Sequence, residues 1–131
     1  MPPLATLPLL LAVAAGGALG SVARYLMGIG ATRLLGLTFP WGTLIINILG
    51  SFLIGAFAEL FALKWNLPQE ARVFLTVGIC GGFTTFSTFS LDAWVLMERG
   101  EWGLAGGYIV GSVVLSIGAL IGALYLVRAA A

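Results

Sequence analysis

Hydroxyl side chains, glycines and phenylalanines are concentrated in residues 78–90, inside a segment that is otherwise apolar. Gly78, Gly81 and Gly82 fall within five residues. Glycine has the most backbone entropy to lose in a helix, so three of them weaken it. These glycines predict a helix broken near residues 79–83. A break at membrane depth leaves carbonyls unpaired on the first half-helix and amides unpaired on the second. Such groups require a bound ion or a wet cavity, with cations favoured at the carbonyl end and anions at the amide end.

The half-helix after the predicted break carries both aromatic rings and hydroxyls. Phe83, Phe86 and Phe89 recur every three residues, so they lie along one side of it. The other sides carry the hydroxyls of Thr84, Thr85, Ser87, Thr88 and Ser90. Ring edges and hydroxyl groups are therefore expected to share one short helix.

The composition is that of an integral membrane protein with a single domain, residues 1–131. Apolar residues make up 60% and charged residues 8% of the chain, and the mean hydropathy is +1.10, whereas soluble domains carry about 25% charged residues. Uncharged runs that reach the ~18–20 residues needed to cross a bilayer cover residues 4–23, 34–58, 73–91 and 102–127. The predicted fold is all-α, with transmembrane helices at residues 6–31, 41–63, 72–96 (the broken one) and 102–128.

Two of these helices carry polar residues at a spacing of four, which places them in line along one ridge of each helix. The ridges are Thr43, Asn47 and Ser51 on the second helix, and Tyr108, Ser112 and Ser116 on the fourth. An asparagine in mid-membrane is unfavourable unless it finds partners, and hydrogen bonding between helices would explain it. Because Asn47 lies in line with hydroxyls, we favour the interpretation that the ridges line a pore.

Small residues predict where helices approach closely. Residues 16–20 of the first helix read Gly-Gly-Ala-Leu-Gly, and Gly103, Gly107 and Gly111 lie on one face of the fourth. Arg24 follows the first of these glycine faces. Its side chain either anchors the helix at the membrane interface or forms an electropositive vestibule that concentrates anions.

Basic residues are balanced between the two ends of the predicted bundle. With four spans, both termini lie on one side, and the basic residues divide into Lys64, Arg72 and Arg128 on that side and Arg24, Arg33 and Arg99 on the other. The chain therefore has almost no positive-inside bias. It could insert in both orientations, which would let two opposed copies pair, although one arginine could still decide the orientation.

Residues 81–90 resemble the GGxTTFSTFS signature of the Fluc (CrcB) family of fluoride channels. The second helix is also similar, since residues 42–47 match the family's Gly-Thr-Leu-x-x-Asn, and Arg24 matches a usual arginine. The resemblance implies a passive, fluoride-selective channel that exports fluoride across the inner (plasma) membrane and so reduces its toxicity. Family members more often have glutamate at the position of Asp92, which leaves the role of this acid open.

The resemblance also implies an antiparallel, dual-topology homodimer with two pores. The carbonyls of Gly81 and Thr84 would hold a structural sodium ion at its centre. The fluoride pathway would be lined by Phe86, Phe89, Asn47, Thr43, Thr85, Thr88, Tyr108, Ser112 and Ser116. In it, Asn47 would donate N–H groups to the anion, and electropositive ring edges would replace water.

Other functions are less compatible with the sequence. A small proton-coupled multidrug exporter, the main alternative, needs a titratable carboxylate at membrane depth, whereas Glu59 and Asp92 lie near helix ends. A scaffold would explain the glycines but not the polar ridges together with a broken helix.

The chain has one cysteine, Cys80, which excludes an internal disulfide. It has no histidine, which argues against an enzyme. A net charge of +1 without a basic cluster gives no footprint for nucleic acid.

Overall fold

The computed structural model describes residues 5–131, and every regular element in that range is helical. The elements are α1 (Leu7–Leu35), α2 (Trp41–Leu63), α3 (Gln69–Val73), a π-helix π1 (Phe74–Cys80), α4 (Gly81–Phe83), α5 (Phe86–Glu98) and α6 (Trp102–Ala130). The stretches long and apolar enough to cross a membrane are α1, α2, the composite Gln69–Glu98 and α6. The prediction of an all-helical protein with four membrane spans is confirmed.

Prolines and glycines set the ends of these helices. Pro40 precedes α2, whose predicted bounds are confirmed at both ends. α1 continues four residues beyond its predicted end, to Leu35, because its stop is Gly36, which has φ 85° and donates its N–H to the Thr32 carbonyl at 2.9 Å. Gly100, with φ 80°, lies two residues after the end of α5 at Glu98, and its N–H donates to the Met97 carbonyl at 2.9 Å. Arg33 therefore lies in the last turn of α1 rather than in a loop.

The third span changes its packing partner at its break. α3 and π1 pack against α1, and so does α4, whereas α5 packs against α6 and α2. α2 and α6 form the most extensive helix pair. The buried core lies where α2, α5 and α6 meet, at Leu44, Ala93, Leu96, Ala105 and Tyr108. Most large exposed apolar side chains lie on the outer faces of α1 and α6, as expected for helices in contact with lipid.

The break lies after the glycines and not among them, so the prediction of a break near residues 79–83 is wrong in position. Residues 74–83 remain helical, and the backbone becomes extended at Thr84 (φ −83°, ψ 156°) and Thr85 (φ −152°, ψ 120°). Extended backbone suits a β-branched residue, and threonine at an N-cap can accept from the next helix's amides. Two adjacent threonines were thus the signal for the break.

Glycines of both α1 and the third span instead allow the two backbones to touch. A Cβ added to Gly16 would lie 2.5 Å from the Phe74 carbonyl oxygen, and one added to Gly82 would lie 2.6 Å from the Gly17 carbonyl oxygen. A Cβ on Gly20 would overlap the Ile79 carbonyl oxygen. The close approach predicted for the first helix is confirmed, and it is a contact between two backbones.

The close-packing face predicted for the fourth helix is not used within the protomer. A Cβ added to Gly103, Gly107 or Gly111 would meet no described atom within 4 Å. α6 packs on α2 through another face, where a Cβ on Gly55 would lie 2.7 Å from the Leu120 carbonyl oxygen. The prediction that the glycine face of α6 packs closely is therefore wrong within a single chain. The glycine at the contact between α2 and α6 is Gly55, which belongs to α2.

Replacing Gly20 by alanine should lower the thermal midpoint of the purified protein, since the new methyl group overlaps the Ile79 carbonyl and overpacking costs about 1–3 kcal/mol. The matched control is Gly17→Ala, whose Cβ would meet nothing within 4 Å. Size-exclusion recovery after heating in detergent measures both variants. Equal midpoints would contradict the backbone contact between α1 and π1.

Candidate functional site

The extended backbone at the break is held by a side chain from α2. Asn47 Nδ2 donates to the Thr85 carbonyl at 3.1 Å, and the Thr85 N–H donates to Asn47 Oδ1 at 3.0 Å. The asparagine amide thus pairs with Thr85 as a neighbouring peptide would in a sheet. Within hydrocarbon the backbone groups freed by a break must find such partners. These bonds are the hydrogen bonding between helices that the sequence offered as the alternative role of Asn47. One N–H on Nδ2 remains uncommitted and is available to a ligand.

Thr85 also caps α5. Its Oγ1 accepts from the Thr88 N–H at 3.2 Å and donates to Thr88 Oγ1 at 3.2 Å. Ser87 Oγ lies 3.4 Å from the same oxygen. The positive end of the α5 dipole therefore lies at a cluster of hydroxyls.

Arg24 holds the other end of the break. Its Nε donates to the Gly82 carbonyl at 3.2 Å. In a continuous helix that carbonyl would accept from the N–H of Phe86, four residues on. Gly81 loses its corresponding partner, because the Thr85 N–H is donated to Asn47. Arg24 is half-buried. Its side chain satisfies a carbonyl freed by the break and also lines a cavity.

One cavity, which we call the arginine cavity, has a volume of about 630 Å³ and lies between the end of α1, the start of α2 and α5. Its lining includes Arg24, Arg33, Arg99, Thr43, Thr85, Thr88 and Asp92, with aromatic walls from Tyr25, Phe39 and Trp41. The predicted residues Arg24, Thr43 and Thr88 are thus brought together. Sequence reasoning placed Arg33 and Arg99 at this end of the bundle but did not assign them to a site.

A second cavity, which we call the serine cavity, has a volume of about 370 Å³ and lies between α2, α6 and the break. Its lining includes Asn47, Ser51, Gly81, Thr84, Thr85, Phe86, Phe89, Ser112 and Ser116. The buried Oγ atoms of Ser112 and Ser116 have no hydrogen-bond partner among residues 5–131. In the described part of the chain, Thr85 alone lines both cavities.

Tyr108 does not share a cavity with the serines of its ridge. It is 1% exposed, lies in the core and lines neither cavity. Its hydroxyl donates to Asp92 Oδ2 at 3.1 Å, which fixes the carboxylate that faces the arginine cavity. The proposed polar ridge on α6 is therefore split, with Ser112 and Ser116 at the cavity and Tyr108 behind it.

The phenylalanines form a row that runs from the core to the surface of the protomer. The Phe89 ring lies 5.1 Å from the Tyr108 ring and 5.5 Å from the Phe86 ring, measured between centroids. Phe86 is 78% exposed. Phe89 is half-buried, so the row places one ring edge inside the protomer and one at its surface.

An ion pair that sequence reasoning missed lies where α2 and α6 end. Arg128 Nε and Glu59 Oε1 are 3.1 Å apart, and the Glu59 side chain is 12% exposed. Neither residue lines either cavity. The pair joins α2 and α6, and the carboxylate of Glu59 is therefore neutralised by Arg128.

Fold and site together define a small multi-pass membrane protein with a broken third span and hydroxyl-lined cavities. The chain belongs to the CrcB family, because the family model described as "CrcB-like protein, Camphor Resistance (CrcB)" matches residues 11–124. The resemblance seen in residues 81–90 is thereby confirmed. The chain is 70% identical over 119 residues to "Fluoride-specific ion channel FluC 1" of Nitrobacter hamburgensis, which covers 91% of this chain and 94% of that protein.

Two other relatives carry the name "Fluoride-specific ion channel FluC". The protein of Nitrobacter winogradskyi is 68% identical over 119 residues, covering 91% of this chain and 94% of the relative. That of Agrobacterium fabrum is 57% identical over 116 residues, covering 88% and 93%. The similarity therefore extends over nearly the whole length of each protein.

Replacing Asn47 by leucine should loosen the break, because Thr85 would lose both partners and each unsatisfied backbone group costs about 1–3 kcal/mol. Hydrogen exchange of peptides covering residues 84–88, read by mass spectrometry, should accelerate. Ser51→Ala, one turn along the same ridge, is the matched control and should leave exchange there unchanged. Equal protection in the two variants would show that Asn47 does not hold the break.

Proposed function

We propose that this chain forms a fluoride-selective channel through which fluoride leaves the cell passively across the inner membrane. The observation that carries the proposal is the pair of buried, unpartnered hydroxyls of Ser112 and Ser116 beside the break. A buried hydroxyl without a partner costs about 1–3 kcal/mol, so these groups need an acceptor that enters the cavity. Fluoride is a small anion that accepts hydrogen bonds strongly. The relatives named as fluoride-specific channels support this choice of ion.

The proposed pathway runs from the arginine cavity to the serine cavity past Thr85. Arg24 attracts the anion, and the hydroxyls of Thr43 and Thr88 receive it. At the break, where Thr85 lines both cavities, the remaining N–H of Asn47 replaces water, since the Thr85 hydroxyl already donates its proton to Thr88 Oγ1. In the serine cavity the donors are Ser112 and Ser116, with ring edges of Phe86 and Phe89. We assign Tyr108 to this pathway only indirectly, as the residue that fixes Asp92.

A proton-coupled exporter is the alternative, and the positions of the carboxylates disfavour it. Such a protein needs a titratable acid in its substrate cavity. Glu59 is paired with Arg128 near a helix end, and Asp92 is bonded by Tyr108 at the arginine cavity. Neither acid lines the serine cavity.

We further propose that two chains assemble as an antiparallel, dual-topology homodimer with two pores. Phe86 is largely exposed in the protomer, and Gly81 is exposed with its carbonyl released by the break. A second copy at this surface would cover Phe86 and bring the carbonyls of Gly81 and Thr84 from both chains together. Carbonyl oxygens are ligands for hard cations, which fits a structural sodium ion there. The open glycine face of α6 offers a second place for close contact between copies.

The test of the proposed function is anion efflux from proteoliposomes loaded with fluoride or with chloride, followed by ion-selective electrodes. Rapid loss of fluoride without loss of chloride is expected, because the donors and the narrow break favour a small anion. Equal loss of both ions, or fluoride loss only under an imposed proton gradient, would contradict the proposal.

The double variant Ser112→Ala and Ser116→Ala separates a pathway role from a structural one. Fluoride efflux should fall about tenfold or more, since each hydrogen bond to an anion contributes about 1.5–3 kcal/mol. The thermal midpoint without fluoride should stay equal or rise, because the buried unpartnered oxygens are removed. Ser21→Ala on α1, which lines neither cavity, is the control. Normal efflux in the double variant would exclude the serines from the pathway.

Dual topology predicts that a peptide tag at the carboxyl terminus is reachable from both faces of the membrane in intact cells and inverted vesicles. The physical reason is the equal division of basic residues between the two ends. A tagged membrane protein of fixed orientation serves as the control. Labelling of this chain from one face alone would overturn the antiparallel assembly.

A further inference from the structure

We propose that the arginine cavity is also a binding site for a flat aromatic oxyanion, a carboxylate or sulfonate of about ten to fifteen heavy atoms, which plugs the channel from that side. The argument for binding rests on the cavity itself. The argument for plugging rests in addition on the proposed function.

The size of the cavity exceeds what a halide ion needs. Its volume is about 630 Å³, within the roughly 300–1,000 Å³ of pockets that bind small organic molecules. Much of the lining is the apolar surface of α1, α2 and α5, with aromatic side chains from Tyr25, Phe39 and Trp41. Such walls suit a ring system and offer far more apolar surface than a bare fluoride ion can contact.

Charge in the cavity favours an anion. Three arginines and one acid lie among its lining residues: Arg24, Arg33, Arg99 and Asp92. Arg24 commits only Nε to the Gly82 carbonyl, so the donors of its two Nη groups remain for a ligand. A guanidinium binds a carboxylate or sulfonate through two parallel hydrogen bonds, which a monatomic ion cannot match. Asp92 opposes this charge, and its carboxylate also accepts from Tyr108.

We expect such a ligand not to pass from the arginine cavity into the serine cavity. Among the described residues, only Thr85 lines both cavities, and its backbone is held on both polar atoms by Asn47. Its hydroxyl is bonded to Thr88 at 3.2 Å. An aromatic oxyanion that enters the arginine cavity therefore stays there and obstructs the pathway.

The binding test uses naphthalene-2-sulfonate, which stays ionised and does not cross bilayers as a neutral acid, in isothermal titration calorimetry of the full-length protein in detergent. Binding should weaken about tenfold in Arg33→Gln and in Arg24→Gln, as expected for loss of one charged contact. Arg33 is exposed on the last turn of α1, so its variant tests the charge without touching the break. Arg72→Gln, outside the cavity, is the matched control, and the neutral naphthalene-2-sulfonamide should bind weakly to all proteins.

Asp92→Asn should bind the sulfonate more tightly, because the opposing charge is removed. Equal affinity of the wild type, Arg24→Gln and Arg33→Gln for the sulfonate, or equal binding of sulfonate and sulfonamide, would overturn the site.

The plugging test places the same sulfonate on both sides of the membrane of fluoride-loaded proteoliposomes, because the arginine cavities of an antiparallel dimer open to opposite faces. The fraction of each protein's own efflux that is lost is then compared. Inhibition of the wild type that is shifted to higher concentration in Arg33→Gln supports the plug. Fluoride efflux that persists at saturating sulfonate would refute it while leaving the channel intact. If no fluoride leaves without the sulfonate, the proposed function fails, and calorimetry alone decides on the binding site.

Discussion

The paired hydrogen bonds between Asn47 and the backbone of Thr85 are the interaction on which the rest of the structure depends. A helix broken in hydrocarbon exposes amides and carbonyls that lipid cannot satisfy, and each unsatisfied group costs about 1–3 kcal/mol. The asparagine side chain supplies one donor and one acceptor at the required separation. Arg24 completes the arrangement at the Gly82 carbonyl. Together, these two side chains satisfy the N–H and C=O of Thr85 and the C=O of Gly82.

Both cavities follow from the break. Because α4 and π1 pack on α1 while α5 packs on α6 and α2, the third span crosses between two sets of helices and leaves space on either side of Thr85. The glycines that permit this crossing allow backbone contact with α1. The same break releases the Gly81 carbonyl and lets the Thr88 N–H donate to the Thr85 hydroxyl. A carbonyl end and an amide end thus meet in one short segment, and the first favours cations whereas the second favours anions.

Much of this architecture was predictable from the residue pattern, because span length and hydropathy are properties of the sequence itself. The four spans, the exact bounds of α2 and the packing face at Gly16 and Gly20 were predicted correctly. The position of the break was not predicted correctly, since the glycines at 78–82 were interpreted as weak points of a helix. In the structure they are helical, and Gly78 and Gly82 lie against the backbone of α1. Tyr108 lies outside the serine cavity that Ser112 lines, and its hydroxyl bonds to Asp92 on α5. A contact between two helices cannot be read from the spacing of residues along one of them. The assembly of two chains remains a proposal argued from the exposed Phe86 and the balanced charges.

Fluoride is proposed to move passively and alone along this path. The most direct measurement is the reversal potential of the current through purified protein in a planar bilayer, with a fluoride gradient, symmetric chloride and a variable pH gradient. The current should reverse at the Nernst potential of fluoride, and the pH gradient should not change this potential. Reversal that follows the proton gradient, or that lies at the potential of chloride, would contradict this proposal.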